Sequence, residues 1–518
     1  MLKKILLTIT TGISISIGAM AQTDADVLRY GMLNYGSTAR SLGMGNSFGA
    51  LGADFSAAMM NPAGLGLYRR SEVTLSPFFN LRSTESDYLS NSEKESRLKF
   101  GFGDFGLVWA TPSKKEYSEW KGFSFGIGYN KTNDFSGNSN AMSVNSKNSL
   151  LHSYSEELGT LSNGGGFPYY QASSDYNGSN ADYISSDFPF DINLAWQTYL
   201  LDSVNVGTDT YYYNAIPYAG AKQTRKVKTR GGQGEWDFSF AANYENKLFL
   251  GATLGLTTVN YNEDIDWTET DAADTIPGFK SYTLSSHLKT DGTGINFKVG
   301  MIYKPIEALR IGLAIHTPTY YTLTDEYNTT ISAQLEDTNG IVEYLDYASP
   351  ASIPFQYDIV TPFRFIGSIA AIAGKTGAFN IEYEYIDYSM GSITPVDKTF
   401  KSDFDPANDA IDNKYTASHN IRVGGELRFD NLRFRVGAFH STSPFKSAYK
   451  GSTSTDLSKT GITAGFGIRQ EKYFIDFAVA HTETGSFLRP YSMDSQVVDG
   501  ITYNEKDNRL LVTFGFNF

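Results

Sequence analysis

Cysteine is absent from the 518 residues, which excludes disulfides, thiolate-held metals, iron–sulfur clusters, thiol catalysis and a lipid anchor on cysteine. Long hydrophobic runs are also missing. Beyond residue 21 the longest near-apolar stretch is roughly ten residues, around Phe365–Gly374, whereas a membrane-spanning helix needs about 20. A polytopic helical transporter is therefore excluded. Basic residues are in the minority, 43 Lys and Arg against 56 Asp and Glu, for a net charge of −13. That balance is wrong for a nucleic-acid partner, which wants a basic face. HExxH and P-loop patterns do not occur, and the six His show no metal-binding pair. His440 with Ser441 and Ser443 is a conceivable Ser/His set, but adjacent strand residues point to opposite faces. No enzyme activity, metal or cofactor is expected.

Aromatic residues are abundant, with 34 Tyr and 35 Phe, and there are 49 Gly. So many aromatics have little purpose in a disordered chain. Met1–Ala21 has the form of a secretory signal peptide: Lys3 and Lys4, an apolar stretch from Ile5 to Gly18, and Ala19-Met20-Ala21 before a cleavage point.

The recurrent signal in the remainder is alternation. Phe379, Ile381, Tyr383 and Tyr385 oppose Asn380, Glu382 and Glu384. Ile421, Val423, Leu427 and Phe429 oppose Arg422, Gly424, Glu426 and Arg428. Period-2 patterns of this kind are strands with two unlike faces. About fourteen such segments start near Ser71, Lys99, Lys121, Glu235, Leu248, Gly294, Leu309, Thr361, Ala378, His419, Leu432, Gly461, Tyr473 and Asn508. Short connections, such as Tyr244–Lys247, Gly374–Gly377 and Asp430–Asn431, alternate with long polar ones near 83–97, 132–232, 261–292, 319–358, 390–417, 442–459 and 483–506. An even strand number with this asymmetry predicts an all-β, antiparallel transmembrane β-barrel of the outer membrane, its short turns periplasmic. The last strand ends on an aromatic, Phe518, in keeping with such barrels.

Residues 22–70 do not alternate. They run Gly36-Ser37-Thr38-Ala39-Arg40, Gly43-Met44-Gly45, Gly49, Gly52 and then Asn61-Pro62-Ala63-Gly64-Leu65. Gly and Pro disfavour a wall strand, and small residues allow close packing in a compact plug. The expected organisation is a signal peptide at 1–21, a hatch at 22–70 and a barrel at 71–518, whose largest loop is 132–232.

The Gly-rich run leading into Asn-Pro-Ala and then the first strand resembles the FadL/TodX-type outer-membrane transporters of long-chain fatty acids and other hydrophobic compounds. The resemblance extends more faintly through Ala308–Pro318, Thr361–Tyr388, Asn420–Pro444 and Gly461–His481. It implies a fourteen-stranded barrel with a hatch in the lumen and passive, hatch-gated transport with lateral exit at a kinked third strand. Gly43, Gly45, Asn61, Pro62, Ala63, Gly64 and Leu65 would form the hatch and gating element. Gly122, Gly126 and Gly128 on the third strand would permit the kink. A ligand carboxylate needs a basic partner; the lumen-facing bases by parity are Lys298, Arg310, Arg364, Arg422, Arg428, Arg433 and Arg435, of which Lys298, Arg310 and Arg364 are the first choices, although pairing with wall carboxylates such as Glu382, Glu384, Glu426 and Asp476 is the commoner use of any one such base. His316 would be the axial ligand if the cargo were haem, the alternative reading. A third possibility is a structural or adhesive surface barrel working through its loops. Expected partners are hydrophobic small molecules, outer-membrane lipid and lipopolysaccharide, and the barrel is expected to be a monomer because closure leaves no free edge. Three further features stand out. A helix is predicted over Asp191–Ser203, and Lys222, Arg225, Lys226, Lys228 and Arg230 form a basic run in the long loop. The acidic stretches Asn262–Asp274 and Asp403–Asp412 lack EF-hand spacing.

Overall fold

A computed structural model describes residues 23–113, 117–145, 147–161, 190–206, 209–216, 220–337, 340–348, 354–447 and 456–518. The expected signal peptide lies outside these residues.

Fourteen antiparallel strands close into a barrel. They are β1 Glu72–Tyr88, β2 Asn91–Pro112, β3 Trp120–Asp134, β4 Lys222–Tyr244, β5 Leu248–Thr270 and β6 Phe279–Ile306. Next come β7, Leu309–His316 continued by Tyr320–Asp337, and β8, Phe355–Val360 continued by Arg364–Ala373. The last six are β9 Gly377–Asp387, β10 Ala417–Phe429, β11 Leu432–Ser441, β12 Lys459–Arg469, β13 Tyr473–Leu488 and β14 Ile501–Asn517. Closure is the β1–β14 ladder, from Glu72 opposite Asn517 to Tyr88 opposite Ile501.

Alternation sorts the side chains as expected. On β9, Phe379, Ile381 and Tyr383 are exposed outside, while Asn380, Glu382 and Glu384 are fully buried in the lumen. On β14, Leu510, Phe514 and Phe516 face out and Leu511 and Thr513 face in. An apolar outer face over a polar interior suits lipid outside and a filled lumen inside.

Four expectations about the connections are corrected. Residues 83–97 are not a loop: β1 and β2 are joined by Leu89 and Ser90 alone, with Leu89 at φ 52°. Much of 319–358 is strand, Tyr320–Asp337, Gly340–Ala348 and the start of β8. Much of 261–292 is likewise strand, because β5 runs to Thr270 and β6 begins at Phe279. These hairpins rise past the apolar belt, where water wets both faces and alternation fades. The basic run is not loop either. It forms the outer half of β4 and pairs with the acidic stretch on β5, Lys228 opposite Asp264 and Lys222 opposite Thr270. Arg230 reaches Asp264 at 3.1 Å across this ladder.

The long connection after β3 holds a strand, Gly137–Val144, paired to β4, and helices Leu150–Leu161 and Phe190–Gln197. The second helix is shorter than the predicted 191–203. Their apolar faces form an outer core with Trp267, Phe279, Tyr282 and Ile331 of the rising hairpins. The second acidic stretch is chiefly a helix, Asp405–Lys414, begun by Pro406 in its first turn.

Thr23 to Leu67 fills the lumen as a plug. It contains helices α1 Asp24–Gly31, α2 Ala39–Gly43 and α3 Ala57–Met60, then a 3-10 turn Pro62–Leu67. Nearly every residue from Tyr35 to Gly66 is buried. Small residues bring its backbone onto the wall. Gly45 has φ +64°, and a Cβ there would lie 2.8 Å from the Ala438 nitrogen.

Candidate functional site

The plug is fastened by ion pairs and by backbone amides. Arg40 of α2 meets Glu426, the Phe48 and Gly49 amides donate to Glu382, and Tyr35 donates to Glu384 at 2.7 Å. Arg422 pairs with both Glu382 and Glu384, and Arg364 pairs with Glu384 at 3.1 Å. Asn61 is the corner. Its Oδ1 accepts from the Ala63 amide at 3.2 Å, and its Nδ2 donates to the Gly49 carbonyl at 2.6 Å and to Met301 of β6 at 3.3 Å. Pro62 opens the 3-10 turn, and this corner packs so closely that a Cβ on Gly300 or Gly251 would collide with Asn61 or Pro62. Gly43 lies on Gly465 of β12, Gly64 lies against Ala57, and Leu65 sits under Gly126.

The four expected ligand-binding side chains are dispersed. Lys298 is buried between Glu235 and Asp237. Arg310 donates to the Leu51 carbonyl at 2.6 Å, and His316 Nε2 donates to the Met60 carbonyl at 3.0 Å, both against the plug. Arg364 alone of the four lines the lumen cavity, and its guanidinium is already held by Glu384 and the Gly31 carbonyl.

That cavity lies on the α1 side of the plug and measures about 720 Å³, within the ~300–1,000 Å³ of small-molecule sites. Its apolar lining includes Leu28, Met32, Phe78, Phe135, Phe445 and Leu457. Its charged lining is predominantly cationic. Arg82 is matched by Glu505 and Asp507, and Arg29 by Asp26. Lys131, Lys459 and Arg509 have no carboxylate within 4.0 Å among the described residues. Lys459 donates to the Asn34 side chain, and Arg509 stacks 4.5 Å over Phe78 with its Nε unpartnered.

The cavity reaches a seam in the wall. β2 pairs with β3 only over Asp104–Pro112. β3 shifts register at Lys131–Asn133, and the chain then turns to pair with β4 as Gly137–Val144. The β2 edge from Asn91 to Gly103 therefore has no backbone partner on that side among the described residues. Side chains bridge it instead: Lys99 to Asp134 and Ser136, each at 2.7 Å, and Arg97 to the Thr229 carbonyl at 2.9 Å. The plug holds the bend. The Asn34 amide donates to the Thr132 carbonyl, and the Asn34 and Asn133 side chains bond at 2.8 Å. β3 shifts register against β4 at two places, Trp120–Gly122 and Lys131–Asn133; Gly122 adjoins the first, and Gly126 and Gly128 lie between the two. Gly128 makes room for the ring of Phe55.

Lys131, Lys459 and Arg509 were not singled out from the sequence. Arg509 shares the inward parity of Leu511 and Thr513 on β14. Lys459 falls in a stretch read as loop, and at Lys131 the register shift breaks the parity rule.

No family model matches the chain, and no curated protein matches it. Its structure is similar to that of a Pseudomonas aeruginosa FadL homologue, at 12% identity, covering 94% of this chain and 100% of that one with a TM-score of 0.52. It is similar also to the P. putida toluene transporter TodX, at 12% identity, 94% and 99% coverage and a TM-score of 0.50. The deltaS2 mutant of the TodX monoaromatic hydrocarbon channel gives 11%, 93%, 99% and 0.52. At these identities the likeness establishes the fold alone: the chain has the barrel fold of these proteins.

Proposed function

We propose that this protein is a monomeric outer-membrane channel for hydrophobic small molecules, exported by the signal peptide at 1–21. One observation carries the reading: the cavity on the α1 side of the plug has an apolar part to its lining, holds Lys131, Lys459 and Arg509 with no carboxylate within 4.0 Å among the described residues, and is lined by Lys131, Asn133 and Asp134 of the bent strand at the β2–β3 seam. A hydrophobic tail gains about 0.8 kcal/mol per CH₂ buried. An acidic head group would be met by Lys131, Lys459 and Arg509, which favours long-chain carboxylates over bare hydrocarbons. Leaving through the β2–β3 seam keeps the tail out of water, and the Asn34–Asn133 contact gives plug movement a way to change the seam. Asn61 and its neighbours, in this reading, set the resting position of the plug, and Arg364 orients the cavity floor. Outer-face aromatics and apolar residues would meet lipid, and the polar hairpins above them lipopolysaccharide.

The haem reading loses its ligand, since no histidine lines the cavity among the described residues and His316 is buried under Met60. The structural reading draws on the many lumen ion pairs, but these surround the plug and leave the cavity open.

The chain has no native cysteine, so the seam can be tested cleanly. Lys99→Cys and Ser136→Cys, joined by a cleavable bis-maleimide linker, should stop uptake of labelled dodecanoate into the membrane while leaving its binding intact. Cleavage should restore uptake. Transport at the uncrosslinked rate with the linker in place would exclude exit through the seam.

A further inference from the structure

The outer wall carries a concavity that the channel reading does not use. Its place follows from the registers of β12, β13 and β14. Ile462 pairs with His481, and His481 with Asn508. One outward position nearer the short turns, Ala464 pairs with Val479, and Val479 with Leu510. These six side chains lie on the outward face and together line a groove of about 430 Å³. Its lower part is apolar: Val479 and Leu510 are exposed, and the small Ala464 leaves room between Ile462 and Phe466 on its own strand. Its upper end is polar. His481 bonds to the Asn508 side chain at 2.8 Å and to Glu483 at 3.3 Å, and Lys506 lies 3.6 Å from Glu483. Glu483 is paired across the ladders with Thr460 and Lys506, and His440 bonds to Thr460 at 2.8 Å. Ladder pairs and side-chain bonds thus join one polar set from His440 to Lys506.

The neighbouring strands mark the same height. His419 on β10, His440 on β11 and His481 on β13 are each the first polar residue above an apolar outward run, which ends in Ile421, Ala438 and Val479. Three of the six His therefore stand where the lipid-facing surface gives way to water, on the long-hairpin side. A lipid of the outer leaflet presents its chains below this level and its head group at it. Covering the groove with a chain gains little from the hydrophobic effect, because the bilayer is as apolar as the wall. Selectivity must come from fit and from the head-group contacts. A head that bears both phosphate and hydroxyls matches this set: the Lys506 ammonium and the imidazole can donate to phosphate oxygens, and Glu483 can accept from a hydroxyl. We propose that the groove across β12, β13 and β14 binds one phosphorylated glycolipid of the outer leaflet, with an acyl chain over Ala464 and the phosphorylated sugar at Lys506, His481 and Asn508. The proposal rests on the outer-membrane reading, but the groove is on the outer face of the wall, away from the β2–β3 seam, and forms no part of the cargo path.

The test uses the whole folded barrel in a non-ionic maltoside and native mass spectrometry, with lipid A and phosphatidylethanolamine as separate probes. Native protein should take one equivalent of lipid A saturably, about tenfold or more tightly than phosphatidylethanolamine. Lys506→Gln with His481→Gln should weaken lipid A by about tenfold or more, and lipid A stripped of its phosphates should bind native protein as weakly. Ala464→Phe fills the groove from an exposed position and should also weaken lipid A, without touching the head-group set. Folding of each variant is checked by heat-modifiable migration. Equal uptake of the two lipids by native protein, or native affinity for lipid A in either folded variant, overturns the proposal. Dodecanoate binding, followed in the same samples, should be unchanged in every variant. A native barrel that takes lipid A but no dodecanoate would count against the channel reading alone, and the converse against the lipid site alone.

Discussion

Replacing Lys131 and Lys459 by methionine keeps side-chain volume while removing two cavity charges. In the native lumen neither ammonium faces a carboxylate within 4.0 Å among the described residues, and Lys459 is held by the Asn34 side-chain oxygen. A carboxylate reaching them would gain charge-assisted hydrogen bonds, each about 1.5–3 kcal/mol. The cavity is open to water on one side, so the lower figure applies, and each loss weakens binding about tenfold. The double variant should bind dodecanoate about a hundredfold more weakly than native protein. Dodecanol, which has the same tail and no charge, should change by less than about threefold, since the apolar lining is untouched. Removing charges that repel Arg509 should not impair folding, so heat-modifiable migration should be native. Binding is measured by calorimetry in maltoside at one ionic strength. Equal losses for dodecanoate and dodecanol would refute a carboxylate role for these lysines.

Other changes should separate support from gating. Lys298→Met strands Glu235 and Asp237 in a buried site, and breaking such a pair costs about 3–5 kcal/mol; the temperature at which the barrel loses heat-modifiable migration should fall. Asn61→Ala removes its bonds to Gly49, Met301 and Ala63, a loss of about 1–3 kcal/mol in plug seating; limited proteolysis of the plug should quicken and uptake should fall while barrel assembly stays native. Burial pushes the Asp26 carboxyl up to about 6 from its ordinary 3.8, although Arg29 pulls it down. The folded plug therefore holds that proton more tightly than the unfolded chain does. The stabilisation is complete below about 4 and is lost as pH rises through about 6. Amides of Asp24–Gly31 should be better protected at pH 4.5 than at pH 7 after correction for intrinsic exchange, and Asp26→Asn should abolish the difference.

The wall was legible because a barrel strand separates lipid from lumen at every residue, and Phe379–Tyr385 records that separation directly. Legibility failed where both faces meet water. Ser83–Arg97 continues β1 and β2 without an apolar face, so it read as loop. The plug was visible as a break in alternation, and Asn61-Pro62-Ala63 marked its corner. Of the cavity-lining cations Arg364 was visible, but Lys131, Lys459 and Arg509 were not. Whether a lumen base is available depends on the strand beside it: Lys298 is consumed by acids 61 and 63 residues away in sequence, and Lys131 enters the cavity at a register shift that no parity count anticipates. The seam, likewise, is a relation between strands and not a property of either.

The most direct measurement is mass spectrometry of the small molecules that the folded barrel carries through purification in maltoside, compared with the Lys131→Met, Lys459→Met variant. The account predicts long-chain carboxylates retained by native protein and depleted in the variant. A native lumen that is empty and also fails to take up added oleate or toluene would contradict it.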